Sequence, residues 1–294
     1  MGCTLCPREC GADRISSIGF CGAGREARVA KIMLHRWEEP CISGGEGDAG
    51  SGAIFFSGCS LMCVYCQNKA ISRTGAGEVM SPGRLADEML RLRSLGALNI
   101  NLVTPTHFTD RIIEALDLIK GKLGIPVVWN TSGYEKPETV ASLKGYCDVF
   151  LTDFKYSSPE ISKKYSHAAD YAEYAAAALR EMVKITGAPR FEGPYLKSGT
   201  IVRHLVLPGA SHDSEDVLRT VNEAVGSKNV ILSLMSQYTP SFVDEGYPEI
   251  SRKITTFEYE RVRDSALALG FEGYAQSKRS ATSAYTPDFG KEET

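Results

Sequence analysis

The sequence predicts an α/β fold built on a parallel sheet, and three observations carry that prediction. Short β-branched and apolar runs alternate with helix-period segments through residues 53–277. Polar residues cluster directly behind the apolar runs. The chain has 294 residues, 43% hydrophobic and 23% charged, enough for a sizeable core with an appendage. Strand–helix alternation gives parallel strands with right-handed crossovers. Six main strands suit a partial (β/α)6 barrel, TIM-like in plan, and a doubly wound sheet fits the pattern nearly as well.

Residues 1–52 read as a small Cys-rich, metal-binding extension. Cys3, Cys6, Cys10 and Cys21 form C-x2-C-x3-C-x10-C among Pro7, Gly11, Gly19, Gly22 and Gly24. Four thiolates close a ligand shell, as a structural zinc or an iron–sulfur cluster requires, and the spacing does not separate the two. So short a segment lacks a core of its own, and a metal would replace it. Residues 28–37 read as extended, with His35 a packing or hydrogen-bonding residue, and the glycine-rich stretch 42–52 as loop.

Next come an apolar run at 53–56 and then Cys59, Cys63 and Cys66 at C-x3-C-x2-C. Thiolates are soft ligands, and three this close can converge on one centre from a single loop. On a [4Fe–4S] cluster they would leave one iron open. Three cysteines in eight residues argue against inert burial. Cys147, alone at the entry to an apolar run, reads as a small buried hydrophobe.

Ser81-Pro82 opens a helix bearing Leu85, Met89, Leu92 and Leu95 at helical spacing. A strand at 98–103 ends in Thr104-Pro105-Thr106-His107, and Ile112, Ile113, Leu116 and Ile119 give the following helix an apolar face. Strands at 126–129 and 149–151 end in Asn130-Thr131-Ser132 and Asp153-Phe154-Lys155, with a short helix near Pro137 between them. One long alanine-rich helical region is expected from Ser158-Pro159 to about Lys184, its Tyr165, Tyr171 and Tyr174 covering a surface. Strands at 200–206 and 229–235, helices after Asp213-Ser214 and near 256–269, and a short strand at 273–275 complete the alternation. Residues 278–294 form a tail.

In either architecture the working residues gather at the C-terminal ends of the strands. Those ends carry Thr104, Thr106, His107, Asn130, Thr131, Ser132, Asp153, Lys155, Arg203, Gln237 and Tyr238.

The cysteine spacing, Tyr65 just before the third cysteine and the strand-like run in front resemble the radical S-adenosylmethionine (SAM) superfamily. SAM presents a carboxylate, an ammonium, ribose hydroxyls and an adenine edge; lysine or arginine can meet the carboxylate, Asp153 the ammonium or hydroxyls, and serine or asparagine the ribose. The resemblance implies a partial (β/α)6 barrel and a [4Fe–4S] cluster on Cys59, Cys63 and Cys66. It implies SAM bound at the open iron and its reductive cleavage to a 5′-deoxyadenosyl radical that abstracts hydrogen. Within the superfamily, residues 53–240 resemble pyruvate formate-lyase activating enzyme and its relatives, with Asp153-Phe154-Lys155, Arg203 through Pro208-Gly209 and Asn130-Thr131-Ser132 as the matching stretches. This implies SAM contacts from Tyr65, Thr104, Asn130, Ser132, Asp153, Lys155, Arg203 and Gln237, a glycyl radical enzyme as partner, and flavodoxin or ferredoxin as electron donor. Thr104-Pro105-Thr106 replaces the relatives' Gly-Gly-Glu-Pro, and Gln237 stands roughly where they carry a histidine. Together with the N-terminal cysteines, Glu38-Glu39-Pro40 and Met235-Ser236-Gln237-Tyr238 resemble a less characterised, activator-like branch. Gly44-Gly45-Glu46 looks like the superfamily's SAM amino-group motif but precedes the cysteine loop, so it reads as a turn.

The alternatives are radical SAM chemistry on a small molecule, RNA or another protein, and a non-catalytic iron–sulfur carrier or zinc-binding module. His107, Tyr238 and Tyr285 are the substrate-side candidates. A net charge of -3 offers no bulk attraction to nucleic acid or an anionic membrane surface. Neither an apolar run of about 20 residues nor a secretory signal is visible, and the reading is a soluble cytoplasmic protein.

Overall fold

The computed structural model describes residues 2–276; the tail 278–294 and Tyr285 lie outside the described residues. After the cysteine-rich start come β1 (Ala27–His35), α1 (Pro40–Ser43), β2 (Ser51–Phe56), α2 (Lys69–Ser72), β3 (Glu78–Met80) and α3 (Pro82–Ser94). The alternation continues with β4 (Ile100–Val103), α4 (Thr109–Leu118), β5 (Val127–Thr131), α5 (Pro137–Ala141) and β6 (Val149–Asp153). It closes with α6 (Pro159–Ser166), α7 (Tyr171–Thr186), β7 (Arg190–Glu192), β8 (Tyr195–Leu205), α8 (Ser211–Val225), β9 (Ile231–Met235), α9 (Thr256–Ala268) and β10 (Gly273–Ala275).

Strand order separates the two architectures that the sequence leaves open. The parallel strands lie side by side in chain order, β2-β4-β5-β6-β8-β9-β10. A doubly wound sheet reverses its order at a switch point, and this one does not. With right-handed crossovers throughout, the helices that connect the parallel strands fall on one face and the sheet curls with the other face inward. The path runs from β10 to β3 without closing, so the barrel is partial. On its open flank β1 pairs antiparallel with both β2 and β3, placing part of the first 52 residues in the sheet itself.

Side-chain alternation sorts each strand. Outward-facing Ile100, Leu102, Trp129 and Phe150 join Leu85, Met89, Leu92, Ile112 and Leu116 in one core, while Val202, Leu232 and Leu234 join Leu179, Val217, Leu218 and Val262 in another. Inward-facing Val128, Val149, Leu151, Ile201 and Ile231 form a smaller core around Cys41 and Ile42 of α1. Thus the segment after β1 plugs the lower barrel, and the upper interior is left to polar residues.

Three local readings change. The stretch 42–52 is not all loop, since α1 ends at Ser43 and β2 begins at Ser51. The single long helix is two: Ser158 caps α6, and His167 ends it in the left-handed conformation at φ 54°. Tyr165 and Tyr171, expected to cover a surface, are buried. The antiparallel β7–β8 pair has no counterpart in the sequence reading. Both Gly44 and Gly45 lie before β2, at the end of the barrel away from the cysteine loop, in keeping with a turn.

Candidate functional site

Above the α1 plug, a cavity of about 160 Å³ opens at the C-terminal ends of the parallel strands. It is lined on one side by Cys59, Cys63 and Cys66 and on the other by Asn130, Ser132, Asp153, Lys155 and Arg203. Thr104 lines it too, at φ 57°, a conformation a β-branched residue adopts only under constraint. Phe56, Leu61, Ile71 and Val103 supply apolar wall. Tyr65 and Gln237 are not among the lining residues: Tyr65 is buried behind the loop, and Gln237 accepts hydrogen bonds from Gln67 and Gln276.

The three cysteines lean on donors. The Leu61 amide donates to Cys59 Sγ at 3.4 Å, Ser166 Oγ to Cys63 Sγ at 3.0 Å and Ser72 Oγ to Cys66 Sγ at 3.8 Å. Burial, reinforced by the nearby Cys63 and Cys66, pushes the Cys59 thiol up to about 12, and burial raises Cys66 as well. Thiols that oppose one another's ionisation become thiolates when a metal charge sits among them. Among the described residues no three His, Cys, Asp or Glu side chains are arranged for a single metal ion. A cubane cluster asks for something different, since each thiolate binds its own iron and the three stand apart. Donor set, cavity and hydrogen bonds fit a [4Fe–4S] cluster.

Opposite the cysteines lies a buried charge network. Lys155 Nζ donates to Asp153 Oδ2 at 2.6 Å, and Arg203 donates to Asp153 Oδ1 at 3.0 Å, Glu38 Oε2 at 3.2 Å and Asn130 Oδ1 at 2.6 Å. Asn101 and Asn130 in turn donate to Glu38 Oε1. Burial alone would raise Asp153, but the charges of Lys155 and Arg203 outweigh it and hold its carboxyl below the usual range. Burial drives Glu38 and Glu39 the other way, upward, against the pull of Arg203. The fixed charges facing the cavity are therefore Asp153, Lys155 and Arg203, with Glu38 bracing Arg203 from below.

The neighbouring backbone is pinned as well. Tyr171 Oη accepts from the Lys155 amide at 2.9 Å and reaches the Ser132 and Asp153 carbonyls at 2.9 and 3.2 Å. Gly133 allows this closeness, because a Cβ there would meet the Asp153 carbonyl at 2.1 Å. Behind the cluster loop, Tyr65 Oη, Tyr156 Oη and Ser166 Oγ form a hydrogen-bonded chain ending on Cys63 Sγ.

Other expected residues lie elsewhere. Thr106 donates to buried Glu135, His107 shares a hydrogen bond with the Ser57 carbonyl at 2.7 Å, and Tyr238 donates to the Ile250 carbonyl. Cys147 is buried against the Val149 carbonyl. The N-terminal thiols gather in a separate place: the Gly19 Cα points between Cys10 Sγ and Cys21 Sγ, and Cys6 is raised to about 12, mainly by burial and in part by Cys21 and Cys3. All nine cysteines are free. Glu38, Tyr171 and Ser166 escaped the sequence reading as site residues. Only Glu38 carried a signal, two adjacent acids before Pro40.

No helix among the described residues is long and apolar enough to cross a membrane. Over 274 residues the chain is 28% identical to the uncharacterised protein MJ0674 of Methanocaldococcus jannaschii, covering 90% of this chain and 74% of that protein. Over 127 residues it is 26% identical to a Haemophilus influenzae protein provisionally named a glycyl-radical enzyme activating enzyme, covering 42% of this chain and 47% of that one. Streptococcus suis SuiB, solved with its precursor peptide SuiA, shares the fold at a TM-score of 0.51 and 11% identity. That match covers 74% of this chain but only 46% of SuiB, so the chain spans less than half of that protein. The family model of the radical SAM superfamily matches residues 53–221, the stretch that carries the cysteine loop together with Asp153, Lys155 and Arg203, and the chain belongs to that superfamily.

Proposed function

We propose that the chain is a radical SAM enzyme that transfers a radical to a protein partner, a glycyl radical enzyme in the first instance. The observation that carries the reading is one cavity flanked by Cys59, Cys63 and Cys66 on one side and Asp153, Lys155 and Arg203 on the other. When bound, the cluster supplies one electron to the SAM sulfonium, whose C–S bond breaks to give methionine and a 5′-deoxyadenosyl radical that takes a hydrogen atom.

The chain's own residues bind and orient. Lys155 meets the SAM carboxylate, Asp153 the ammonium, and Asn130 and Ser132 the ribose. Phe56, Leu61, Ile71 and Val103 keep water from the reacting centre. A plain electron carrier has no use for this polar wall, which argues against a non-catalytic module. The glycyl-radical assignment draws support from the likeness to the Haemophilus influenzae protein. Cys3, Cys6, Cys10 and Cys21 are proposed to hold a second metal centre, zinc or iron–sulfur, and flavodoxin or ferredoxin is the proposed reductant.

Anaerobic reconstitution, dithionite reduction and mass spectrometry of SAM products test the chemistry. Electron paramagnetic resonance (EPR) on candidate glycyl radical enzymes tests the target. We expect 5′-deoxyadenosine from the wild type and none from Cys63→Ala. Full turnover by that variant would sink the cluster assignment, whereas 5′-deoxyadenosine without any glycyl radical would move the substrate to a small molecule, RNA or another protein.

A further inference from the structure

The two cysteine sets, separate in sequence, are joined in the fold. The Cys59 amide donates to the Cys21 carbonyl at 3.0 Å, so a residue of the N-terminal knot holds the first residue of the cluster loop. Gly58 makes room for this, since a Cβ there would lie 2.5 Å from the Cys21 carbonyl oxygen. Between Cys6 and Cys10 of the knot stands Arg8. Its Nε donates to the Ser60 carbonyl, inside the cluster loop, at 2.8 Å, and its Nη2 to the Ser166 carbonyl at 2.8 Å. Its Nη1 donates to the His167 carbonyl, and the guanidinium lies 4.4 Å from the Phe20 ring centroid and 5.2 Å from that of Tyr134.

Ser166 is the residue whose hydroxyl donates to Cys63 Sγ. One residue earlier, the Tyr165 carbonyl accepts from the Val64 amide at 2.9 Å. The C-terminal end of α6 therefore holds the cluster loop at Cys63 and Val64, and Arg8 ties that helix end, the loop and the knot together. A cation at a helix C-terminus meets unpaired carbonyls with favourable charge. The planar fork holds three carbonyls from fixed directions, a geometry that the single rotating ammonium of a lysine does not reproduce.

We propose that Arg8 is a positioning residue through which the N-terminal knot sets the geometry of the [4Fe–4S] loop, so that releasing Arg8, or the Cys6–Cys10 turn that carries it, loosens Cys59 and Cys63. The inference rests on the radical SAM reading of those cysteines and adds that residues 3–21 belong to the working part of the molecule. The knot has a second anchorage that bypasses the loop, with Thr139 Oγ1 donating to the Leu5 carbonyl and Lys136 pairing with Glu9. This provides a control.

Hydrogen–deuterium exchange of residues 58–66 and the rate of iron loss to a chelator are measured on the reconstituted protein. Neither needs SAM turnover, so their outcome is independent of the proposed activity. Arg8→Gln and the Cys6→Ser, Cys10→Ser double variant should each speed both by about tenfold, the equivalent of one hydrogen bond from a charged group. Arg8→Lys should fall between them and wild type and, if Arg8→Gln does not fold, carries the test alone. Thr139→Val should loosen the knot yet leave residues 58–66 exchanging as in wild type. Wild-type exchange and iron retention in Arg8→Lys and Arg8→Gln would overturn the proposal. So would a Thr139→Val protein that loosens the loop as much as Arg8→Gln, since the link would then be general to the fold.

Discussion

Arg203 and Glu38 form an ion pair at 3.2 Å across the barrel interior, linking β8 to the turn behind β1. Their side chains are 17% and 9% exposed, so water screens the pair little. Glu38 also accepts from Asn101 and Asn130, while the neighbouring Glu39 acts on Arg203 through its charge. In Glu38→Gln the amide would turn a donor toward the guanidinium. We expect a loss of about 1–3 kcal/mol in chemical denaturation, the scale for leaving a buried polar group unmatched. SAM affinity should fall as well, because Arg203 would swing toward Asp153 and compete with Lys155. A variant with unaltered stability and affinity would show that Glu38 does not brace the site.

The contrast between Arg203 and Glu38 shows what the sequence could and could not reveal. Arg203 stands at a strand end, where alternation and fold class already point to the working face, and so do Asp153, Lys155, Asn130 and Ser132. The cysteine loop was legible from spacing alone. Glu38 reaches the same place from a connection with no periodicity, and only the α1 plug puts it there. Strand order likewise settles barrel against doubly wound sheet, since both begin as the same local pattern. The break at His167 left no clear mark, because a histidine in the left-handed conformation looks like any other histidine in a list. Tyr171 was read as surface because an alanine-rich helix does not say which of its faces is covered.

Thr104 gives a test of backbone strain. Its φ of 57° places a β-branched residue in the left-handed region, where an L side chain costs about 1–2 kcal/mol. Its amide is held by the Asn130 carbonyl at 2.8 Å, which fixes the turn against β5. Thr104→Gly removes the clash but loosens the unfolded chain, which returns about 0.5–1 kcal/mol. The net expectation is a protein more stable by up to about 1 kcal/mol, read as a raised Tm in thermal unfolding of the apo-protein. Thr104→Ala, which keeps its Cβ, should show no such gain. A lower Tm for the glycine variant would mean that the hydroxyl contributes more than the strain costs.

Glu135 makes stability depend on pH. Burial raises its carboxyl from 4.5 to about 7, although Thr106 and Thr131 donate to it. A raised acid holds its proton more tightly in the folded chain than in the unfolded one. Its favourable contribution is complete below about 4.5, fades as pH rises toward 7, and above that the buried carboxylate is a constant cost. The shift corresponds to about 3 kcal/mol in order of magnitude. Glu135→Gln keeps the acceptor for both threonines and has no proton to lose. Urea denaturation should therefore show a flatter profile between pH 5 and about 7 and a more stable variant at about pH 8. A parallel displacement of the two profiles would place the titrating group elsewhere.

Lys155 tests the proposed SAM-binding wall most directly. Asp153 and Lys155 flank one residue, and the ion pair between them aligns both side chains with the cavity. Burial works against the Lys155 charge, but Asp153 more than compensates and its pKa is raised, so the ammonium is retained. Lysine and arginine are then the cations facing the thiol side, and Arg203 is already committed to Asp153, Glu38 and Asn130. Lys155 has one carboxylate partner and two remaining N–H donors, which leaves it the freer of the two to meet a ligand carboxylate. Lys155→Ala should weaken SAM binding by about 1–3 kcal/mol, the range for a hydrogen bond to a charged group. Iron content should stay at the wild-type level, because the lysine's side-chain hydrogen bond goes to Asp153 and not to a cysteine. Anaerobic calorimetry with SAM, alongside iron analysis of the same sample, separates the outcomes. Unchanged affinity would assign the carboxylate to Arg203, and loss of iron together with affinity would make Lys155 a support for the cysteine loop instead of a ligand contact.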